Sequence, residues 1–233
     1  MRRYCSTLAI AAVLLAAPAS MAKAQDASRK VVDGGISVPG WAGKIDASED
    51  AKGEKLENSK LAGVGDALRV TTGPAVTYWN PANKASGDFT VKATFNEAKY
   101  MSLNDHPHPY GIFIAGNDMG TADQSYLYCA AYGNGTFIVR GFGPASFRMN
   151  GPRGGGDPAV NKAAGPGPPV TQEIAVSVRG DKVECAINGK TVARNAKSEL
   201  VTAGKLKSTD GVYGIRFAHN TEAVVTGLTT TKP

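Results

Sequence analysis

The chain has 233 residues, 42% of them hydrophobic and 20% charged, and its formal net charge is +6 at pH 7. A chain of this length buries enough surface for one substantial core without a structural metal or several disulfides. Its basic residues are spread thinly, without a run of five or six and without a basic helix, which argues against a nucleic-acid partner or a membrane-surface role.

Residues 1–24 have the pattern of a secretory signal peptide. Arg2 and Arg3 precede an apolar run from Leu8 to Ala17, and Ala22-Lys23-Ala24 has the small-x-small form of a cleavage site. The apolar run is about half of the roughly 20 residues that a membrane-spanning helix needs. We therefore predict cleavage after Ala24, a periplasmic or extracellular location, and no membrane insertion of the mature chain. Cleavage would lower the net charge to +3, because the segment holds three basic residues and no acid.

Residues 25–233 are predicted to form a single all-β domain. After an irregular lead from Asp26 to about Leu61, β segments of five to nine residues are separated by Gly, Pro, Asn and Asp. Several of them alternate apolar and polar side chains, and no convincing helix period is present. The predicted strands are Ala67–Thr71, Ala75–Trp79, Phe89–Glu97, Gly111–Ala115, Ser125–Tyr132, Thr136–Phe142, Gln172–Arg179, Lys182–Ile187, Val212–Ala218 and Ala223–Thr230. Ten short strands with tight turns favour a two-sheet antiparallel jelly-roll sandwich.

Hairpin turns support this pattern. Gly133-Asn134-Gly135 joins two of the predicted strands with a strong short-range hairpin signal, and Gly180-Asp181 and Asn188-Gly189 mark two further turns. The sequence therefore predicts that consecutive strands pair at these three places.

The segment 143–169 breaks the rhythm. Its sequence, GPASFRMNGPRGGGDPAVNKAAGPGPP, is too rich in Gly and Pro for a strand or a helix, so we predict a long loop. Loops of this length are usually functional lids or mobile segments, and the sequence does not choose between the two. Gly154-Gly155-Gly156 is not assigned to phosphate binding, because no strand leads directly into it and no helix follows.

Two cysteines, Cys129 and Cys185, remain once cleavage removes Cys5. Both lie on predicted strands, and disulfides persist in the exported compartment. A disulfide between them and a pair of small buried side chains are both compatible with the sequence.

A series of short motifs resembles secreted bacterial domains of the concanavalin A-like lectin/glucanase superfamily, and most of all the uncharacterised group near the 3-keto-disaccharide hydrolase domains. The motifs span nearly the whole mature chain. They are Gly73-Pro74 with Tyr78-Trp79, Gly87-Asp88-Phe89-Thr90-Val91, His106-Pro107 before Tyr110-Gly111-Ile112-Phe113-Ile114, Gln124 to Tyr128, Pro158 to Lys162, Val178 to Val183, Asn188-Gly189, and Gly214-Ile215-Arg216 with His219-Asn220.

The resemblance implies the sandwich fold but leaves the function open, because this superfamily includes lectins, laminin-G-like binding modules and glycosidases. The Glu-x-Asp-x-x-Glu strand pattern of sandwich glucanases is absent. The nearest acidic cluster, Glu49-Asp50 with Glu54, lies in the polar lead. We therefore exclude that glucanase mechanism and identify no catalytic motif.

The histidines are weak catalytic candidates. His106 and His108 lie in the loop Asn104-Asp105-His106-Pro107-His108-Pro109, and His219 follows a predicted strand. Imidazole and carboxylate together suit zinc, nickel or copper, but no third ligand is identifiable, so we predict no metal site and no cofactor. The loop has three other interpretations. Its prolines could form a turn that starts a strand, or its histidines could contact a sugar or act as a general acid or base. Asn220, beside His219, could contact a sugar or satisfy local backbone groups.

Aromatic and planar polar side chains form a candidate carbohydrate site. Tyr78 and Trp79 are adjacent and must point to opposite faces, and Tyr126, Tyr128 and Tyr132 share one face of their strand. If that face is the exposed concave one, it is a sugar platform; if it faces the other sheet, it is core. The candidate ligand-binding residues are Trp79, Asp118, Gln124, Tyr126, Tyr128, Arg140 and Asn220.

Three functions remain open. The first is an exported protein that binds carbohydrate or a cell-envelope glycan, without catalysis. The second is a hydrolase of 3-keto-disaccharides or related modified sugars, which requires the three histidines to converge, with the 143–169 loop as a cover. The third is a structural or interaction domain of the envelope, which predicts buried aromatics and a shallow, polar concave face.

Overall fold

The computed structural model describes residues 27–233, so the predicted signal peptide lies outside the described residues. Sixteen strands make up about half of this part of the chain. They are β1 (Gly35–Ile36), β2 (Ala42–Ile45), β3 (Lys60–Val64), β4 (Ala67–Thr71), β5 (Val76–Ala85), β6 (Phe89–Glu97), β7 (Tyr110–Asn117), β8 (Ser125–Tyr132), β9 (Thr136–Phe142), β10 (Ser146–Arg148), β11 (Gly155–Gly156), β12 (Val170–Arg179), β13 (Lys182–Ile187), β14 (Lys190–Ala196), β15 (Gly211–Phe217) and β16 (Glu222–Thr231). Two one-turn helices, α1 (Ala47–Asp50) and α2 (Lys197–Leu200), and a 3-10 turn at Leu56–Asn58 complete the elements.

The strands form two sheets. The first sheet has the order β1-β3-β4-β16-β6-β12-β13-β14, and the second has the order β10-β9-β8-β7-β15-β5-β2, with β11 also paired to β9. Only the short β1 and β3 pair in parallel among these strands, and the other ladders are antiparallel. The predicted all-β, two-sheet antiparallel sandwich is confirmed.

The main core lies between the two sheets, where alternate residues of each strand meet. On β6, Phe89, Val91, Ala93 and Phe95 are at most 2% exposed, while Lys92 between them faces solvent. This is the period of two that half-buried strands require. β4, β6, β8, β9 and β13 have the bounds that the sequence predicts. Of these strands, β6 and β13 carry the alternation along their length, whereas β8 is buried at seven consecutive positions because both of its faces are covered.

A disulfide joins the two sheets through this core. It links Cys129 on β8 to Cys185 on β13, whose Cα atoms are 6.0 Å apart. The structure therefore has the disulfide, and the two cysteines are not simply small buried side chains. It connects strands that no backbone ladder connects, since β8 and β13 belong to different sheets.

Several elements were not expected from the sequence. The lead described as irregular contains β1, β2, α1 and the start of β3, and the edge strand β14 is polar along most of its length. The prediction of a strand-free loop over 143–169 is wrong, because β10 and β11 pair with β9 there. Gly155 and Gly156 can pair without any side-chain pattern, since the ladder uses only backbone groups.

No helix within residues 27–233 is long and apolar enough to cross a bilayer.

Candidate functional site

The two faces of β8 lead to two different environments. Leu127, Cys129 and Ala131 point into the main core, whereas Tyr126 and Tyr128 belong to a separate buried cluster on the outer face of the second sheet. This outer cluster consists of Trp79, Phe113, Tyr126, Tyr128, Ala130 and Ile138. The tyrosine face is therefore not turned toward the other sheet. Nor is it an open platform, because Tyr126 is 1% exposed and Tyr128 is 7% exposed.

A cavity of about 560 Å³ lies against this outer face, and we call it the outer cavity. Its walls come from β8, β9, β10 and β15, from the start of α1 and from the loop before β7. The residues that line it include Asp46, Glu49, His106, His108, Tyr128, Tyr132, Arg140, Phe142, Phe147, Arg148, Arg216 and His219. Part of the 143–169 segment thus forms a wall of the cavity. A second cavity of about 850 Å³ adjoins it through Asp46, Ser48, Phe142 and Ser146.

The floor of the outer cavity is built on a buried ion pair between Arg216 of β15 and Asp46, the residue before α1. The Arg216 guanidinium also lies over the rings of Tyr128 and Phe142, at 5.7 and 5.6 Å from their centroids. Burial alone would lower the pKa of Arg216, but the nearby Asp46 carboxylate outweighs it and raises that pKa. The arginine therefore stays charged and is held rigidly by an anion on one side and aromatic faces on the other.

A second polar link ties the floor to the neighbouring strands. Arg216 Nη1 donates to Thr77 Oγ1 on β5 at 3.3 Å, and the Thr77 and Tyr126 hydroxyls lie 3.0 Å apart. Burial raises the pKa of Tyr126, so its hydroxyl stays neutral. Since a buried polar group is costly without a partner, this chain of hydrogen bonds is what allows polar side chains beneath the cavity.

All three histidines converge at one end of the outer cavity. β7 and β15 pair in antiparallel register with Tyr110 opposite Phe217, so His108 and His219 both lie two residues beyond that pair. Ala218 N donates to Pro109 O at 2.9 Å, which extends the pairing toward the histidines. One ring nitrogen from each of His106, His108 and His219 lies within 4.8 Å of the others, and we call this group the histidine cluster.

The cluster is held by specific hydrogen bonds. His108 Nδ1 donates to the His219 carbonyl, and His106 Nδ1 donates to Asp105 Oδ1 at 2.6 Å. The Nε2 atoms of His106 and His108 lie 2.8 Å apart. Asn104 Nδ2 donates to the Asn220 carbonyl at 2.7 Å and so joins the histidine loop to the chain after β15.

Burial, together with the neighbouring His106 and Lys52, lowers the pKa of His219 to about 4. His108 and His219 are 5% and 7% exposed, whereas His106 is exposed. The sequence identified no third partner for the His-x-His fragment. The structure places His219, from the turn after β15, beside this fragment as a third imidazole.

Arg140 and Tyr132 form the more open wall of the cavity, and both are half-buried. Arg140 Nη2 donates to the Pro152 carbonyl at 3.0 Å, which fixes the side chain. The Arg140 Nε atom is buried and finds no acceptor among residues 27–233.

The other predicted ligand-binding residues do not line the outer cavity. Trp79 is 5% exposed, points away from Tyr78 as expected, and packs in the outer cluster instead of forming a platform. Asp118 is exposed and pairs with Lys207. Gln124 lines the adjoining cavity, where its Oε1 accepts from Gly120 N at 3.2 Å.

Asn220 has a structural role in the fold. Its Oδ1 accepts from Arg29 N at 2.8 Å and its Nδ2 donates to the Ala27 carbonyl at 3.1 Å, so both ends of the amide are used to hold the N-terminal segment. The amide therefore binds backbone groups, but these lie 191 and 193 residues away in the sequence and are not local, and sugar contact by Asn220 stays a prediction.

The sequence interpretation missed Asp46 and Arg216, which organise the floor of the cavity. Asp46 lies in the lead that was described as irregular, and Arg216 was noted only as part of a motif. One signal was available: an arginine inside an apolar strand, Gly214-Ile215-Arg216-Phe217, requires an anionic partner if it is buried. Its partner could not be read from the sequence, since Asp46 is 170 residues away.

No protein-family model matches the sequence, and no curated protein is significantly similar to it. Solved structures do share its fold. A Bacillus subtilis protein of unknown function with a galectin-like fold has a TM-score of 0.56 at 13% identity, over 82% of this chain and 89% of that one. The carbohydrate-binding module CBM66 from Bacillus subtilis has a TM-score of 0.53 at 12% identity, over 85% of this chain and 99% of that one.

The exoplasmic/lumenal domain of VIP36, solved with Ca²⁺ and Man3GlcNAc, has a TM-score of 0.50 at 9% identity and covers 84% of each chain. At such low identities the likeness concerns the fold alone. The chain is therefore a two-sheet jelly-roll sandwich, and its fold is similar to that of a galectin-like protein and of a carbohydrate-binding module.

Proposed function

We propose that the chain is an exported β-sandwich protein that binds a carbohydrate, a cell-envelope glycan being the expected source, in the outer cavity. The observation that carries the proposal is the composition of the cavity wall. Aromatic rings of Tyr132 and Phe147 stand beside the guanidinium groups of Arg140 and Arg148 around a space of about 560 Å³.

Sugar rings need two kinds of partner. Their apolar C–H faces pack on aromatic rings, and their hydroxyls need planar groups that donate or accept hydrogen bonds. Tyr132 and Phe147 are half-buried, so each ring keeps an accessible part. Arg140 is fixed by the Pro152 carbonyl and lines the cavity, so the accessible part of its guanidinium can donate to sugar oxygens.

The arginines also indicate the charge of the ligand. Arg216 is neutralised by Asp46, whereas Arg148 is exposed and the Arg140 guanidinium donates to the neutral Pro152 carbonyl. Planar guanidinium groups bind carboxylates in a bidentate manner. We therefore favour acidic sugars, such as uronates, over neutral ones.

Export is supported by two features. Residues 1–24 have the signal-peptide pattern, and the Cys129–Cys185 disulfide joins the two sheets. Structural disulfides persist outside the reducing cytoplasm. A periplasmic or extracellular location also gives the protein access to envelope glycans.

The binding proposal is tested with a screen of neutral and acidic glycans followed by calorimetric titration of the best binder. Tyr132→Ala and Arg140→Ala should each weaken binding by at least about tenfold, because each removes a direct contact. Asp118→Asn is the matched control, since Asp118 is exposed and lies outside the cavity lining. Equal affinities for all four proteins would contradict the assigned site, and no binder in the screen would contradict the proposed function.

A second candidate function is hydrolysis of 3-keto-disaccharides or related modified glycosides, and the convergence of the histidines favours it. General acid/base groups must come within hydrogen-bond reach of one substrate, and the ring nitrogens of the histidine cluster lie within 4.8 Å of one another at the cavity. A proton NMR time course with 3-keto-disaccharides and their unoxidised parents tests it. Free monosaccharide signals above a control without protein would establish a hydrolase, and an unchanged spectrum would remove this candidate.

The third possibility, a purely structural envelope domain, predicts a shallow and polar face without accessible aromatics. The outer cavity instead has half-buried aromatic walls. This difference is the reason for ranking the structural domain last.

A further inference from the structure

The histidine cluster contains every histidine of the chain. The sequence has three histidines, and the topology of β7 and β15 brings all of them to one end of the outer cavity. The ring centroids of His108 and His219 are 4.0 Å apart, and those of His106 and His108 are 4.3 Å apart. Three imidazoles packed this closely require an explanation beyond a proline turn.

Hydrogen bonds fix the tautomers of two of the rings. A backbone carbonyl can only accept a hydrogen bond, so His108 Nδ1 carries the proton that it shares with the His219 carbonyl. The Asp105 carboxylate likewise accepts from His106 Nδ1. In each neutral ring the lone pair is then on Nε2.

The two Nε2 atoms face each other at 2.8 Å. Two lone pairs at this distance repel unless a cation lies between or beside them, and the available cations are a proton and a metal ion. In metal proteins, a histidine that binds the ion through one ring nitrogen usually donates a hydrogen bond from the other to a carboxylate or a backbone carbonyl. This contact orients the ring and makes the ligating nitrogen more basic.

We propose that His106, His108 and His219 bind one divalent transition-metal ion, with a remaining coordination position open to the outer cavity. Zinc is bound by imidazole at about 2.0–2.1 Å, which places ligand nitrogens about 3.4 Å apart in a tetrahedron. The cluster nitrogens lie between 2.8 Å and 4.8 Å from one another, so shifts of about 1 Å bring them to that spacing. His106 is exposed at the end of its loop and can make such a shift at little cost.

The donor set selects the class of metal. Within residues 27–233 the group holds three imidazoles and no carboxylate, whereas calcium and magnesium require several oxygen ligands. Imidazole suits zinc, nickel and copper. Cys129 and Cys185 are joined in a disulfide and offer no thiolate that would compete for the ion.

A metal ion at this place would act on whatever occupies the cavity. Three protein ligands leave the fourth position of zinc to water or to a bound group, and all three histidines line the outer cavity. The metal proposal goes beyond the proposed function and does not depend on it, because the ion binds with or without a glycan.

The test uses the full chain, expressed with its own N-terminal segment, purified without a histidine tag and dialysed against chelator. Zinc chloride is titrated into it by calorimetry at about pH 7.5, where the imidazoles are available as ligands. We expect one zinc ion per chain with a Kd in the micromolar range or tighter, and shifts of the imidazole signals of all three histidines in NMR spectra. His106→Ala should weaken binding by at least about 100-fold while the metal-free midpoint of unfolding stays nearly unchanged, because His106 is exposed.

His219→Gln provides a second variant that removes the ligand in the turn after β15. Absence of zinc binding to the wild type would overturn the proposal, and so would stoichiometric binding that both variants retain. Neither result would bear on the glycan screen, which is carried out without added metal.

A matched pair of acidic variants separates ligand orientation from general charge. Asp105→Asn removes the carboxylate that orients His106 and should weaken zinc binding by about 10-fold. Asp118→Asn removes the same charge from an exposed position outside the cavity lining and should leave the affinity unchanged. Equal effects of the two substitutions would contradict the ligand role of His106.

Discussion

The two faces of the second sheet bury side chains in different ways. The inner face meets the first sheet through aliphatic and aromatic groups and a disulfide, whereas the outer face buries an arginine, an aspartate, a threonine and tyrosine hydroxyls next to a cavity. Successive residues of β8 alternate between these two environments. The inner face therefore holds the sandwich together, while the outer face uses burial to fix polar groups in position for binding.

The largest effect should come from breaking the ion pair on the outer face. Arg216→Met leaves the Asp46 carboxylate buried without its partner, because the two side chains are only 8% and 17% exposed. We expect a loss of about 3–5 kcal/mol in the free energy of unfolding, measured with guanidinium chloride.

Arg216→Met combined with Asp46→Leu is the control for this variant. The double substitution replaces both charges by apolar groups and should recover most of the lost stability. If the single substitution has no effect, the outer face does not depend on the pair, and the contrast between the faces fails.

The inner face is tested by removing the disulfide. Replacing Cys129 and Cys185 by Ala opens a link between residues 56 apart and should cost about 4 kcal/mol, mainly because the unfolded chain gains freedom. Denaturation of the wild type in the presence and absence of reductant is the matched experiment. A loss well below about 1 kcal/mol in both experiments would show that packing alone holds the sheets together.

A pH-dependent effect is expected at Glu97, which ends the inward-facing row of β6. Burial raises the pKa of Glu97 to about 7 from its ordinary value of 4.5, so the folded protein holds this proton more tightly than the unfolded chain. The stabilisation is fully present at low pH and is lost as the pH rises from about 4.5 to about 7.

Glu97→Gln keeps the shape of the side chain and removes the titration. It should therefore raise the free energy of unfolding by up to about 3 kcal/mol at about pH 9, relative to wild type, and by much less at about pH 4. The accepting oxygen that Met101 N contacts at 3.1 Å is kept in the amide. A gain that is equal at both pH values would contradict the raised pKa.

The smallest effect is expected at the cavity wall. Tyr132→Ala should cost about 1 kcal/mol, because Tyr132 is half-buried, whereas Tyr128→Ala should cost about 3 kcal/mol, because its ring is buried beneath Arg216. Thermal unfolding of the two variants measures the difference. Equal losses would show that the wall is as much a part of the packing as the floor.

Much of the fold could be predicted from the sequence, because regular alternation and glycine turns are local signals. β6 and β13 carry a clear period of two, and the turns at Gly133-Asn134-Gly135 and Asn188-Gly189 join strands that do pair. β14 was missed because an exposed edge strand carries polar residues on both faces.

The site was predicted less completely because it depends on sheet order. His106 and His108 attracted notice as a pair, and Tyr128 and Arg140 do line the cavity. The convergence with His219 follows from the pairing of β7 with β15, strands that lie about 100 residues apart and whose neighbours a single sequence does not reveal. The pair of Asp46 and Arg216 depends on the same kind of long-range contact.

The position of Asn220 has a practical consequence for handling the protein. Because its side chain holds Ala27 and Arg29 next to His219, a peptide fused directly ahead of Ala27 would leave the fold beside the three imidazoles. β16 starts at the same end and runs away from it for ten residues, roughly 30 Å, before the chain ends at Pro233. A fluorophore attached next to the end of β16 would therefore stay clear of the cavity, and one attached at Ala27 would report on it.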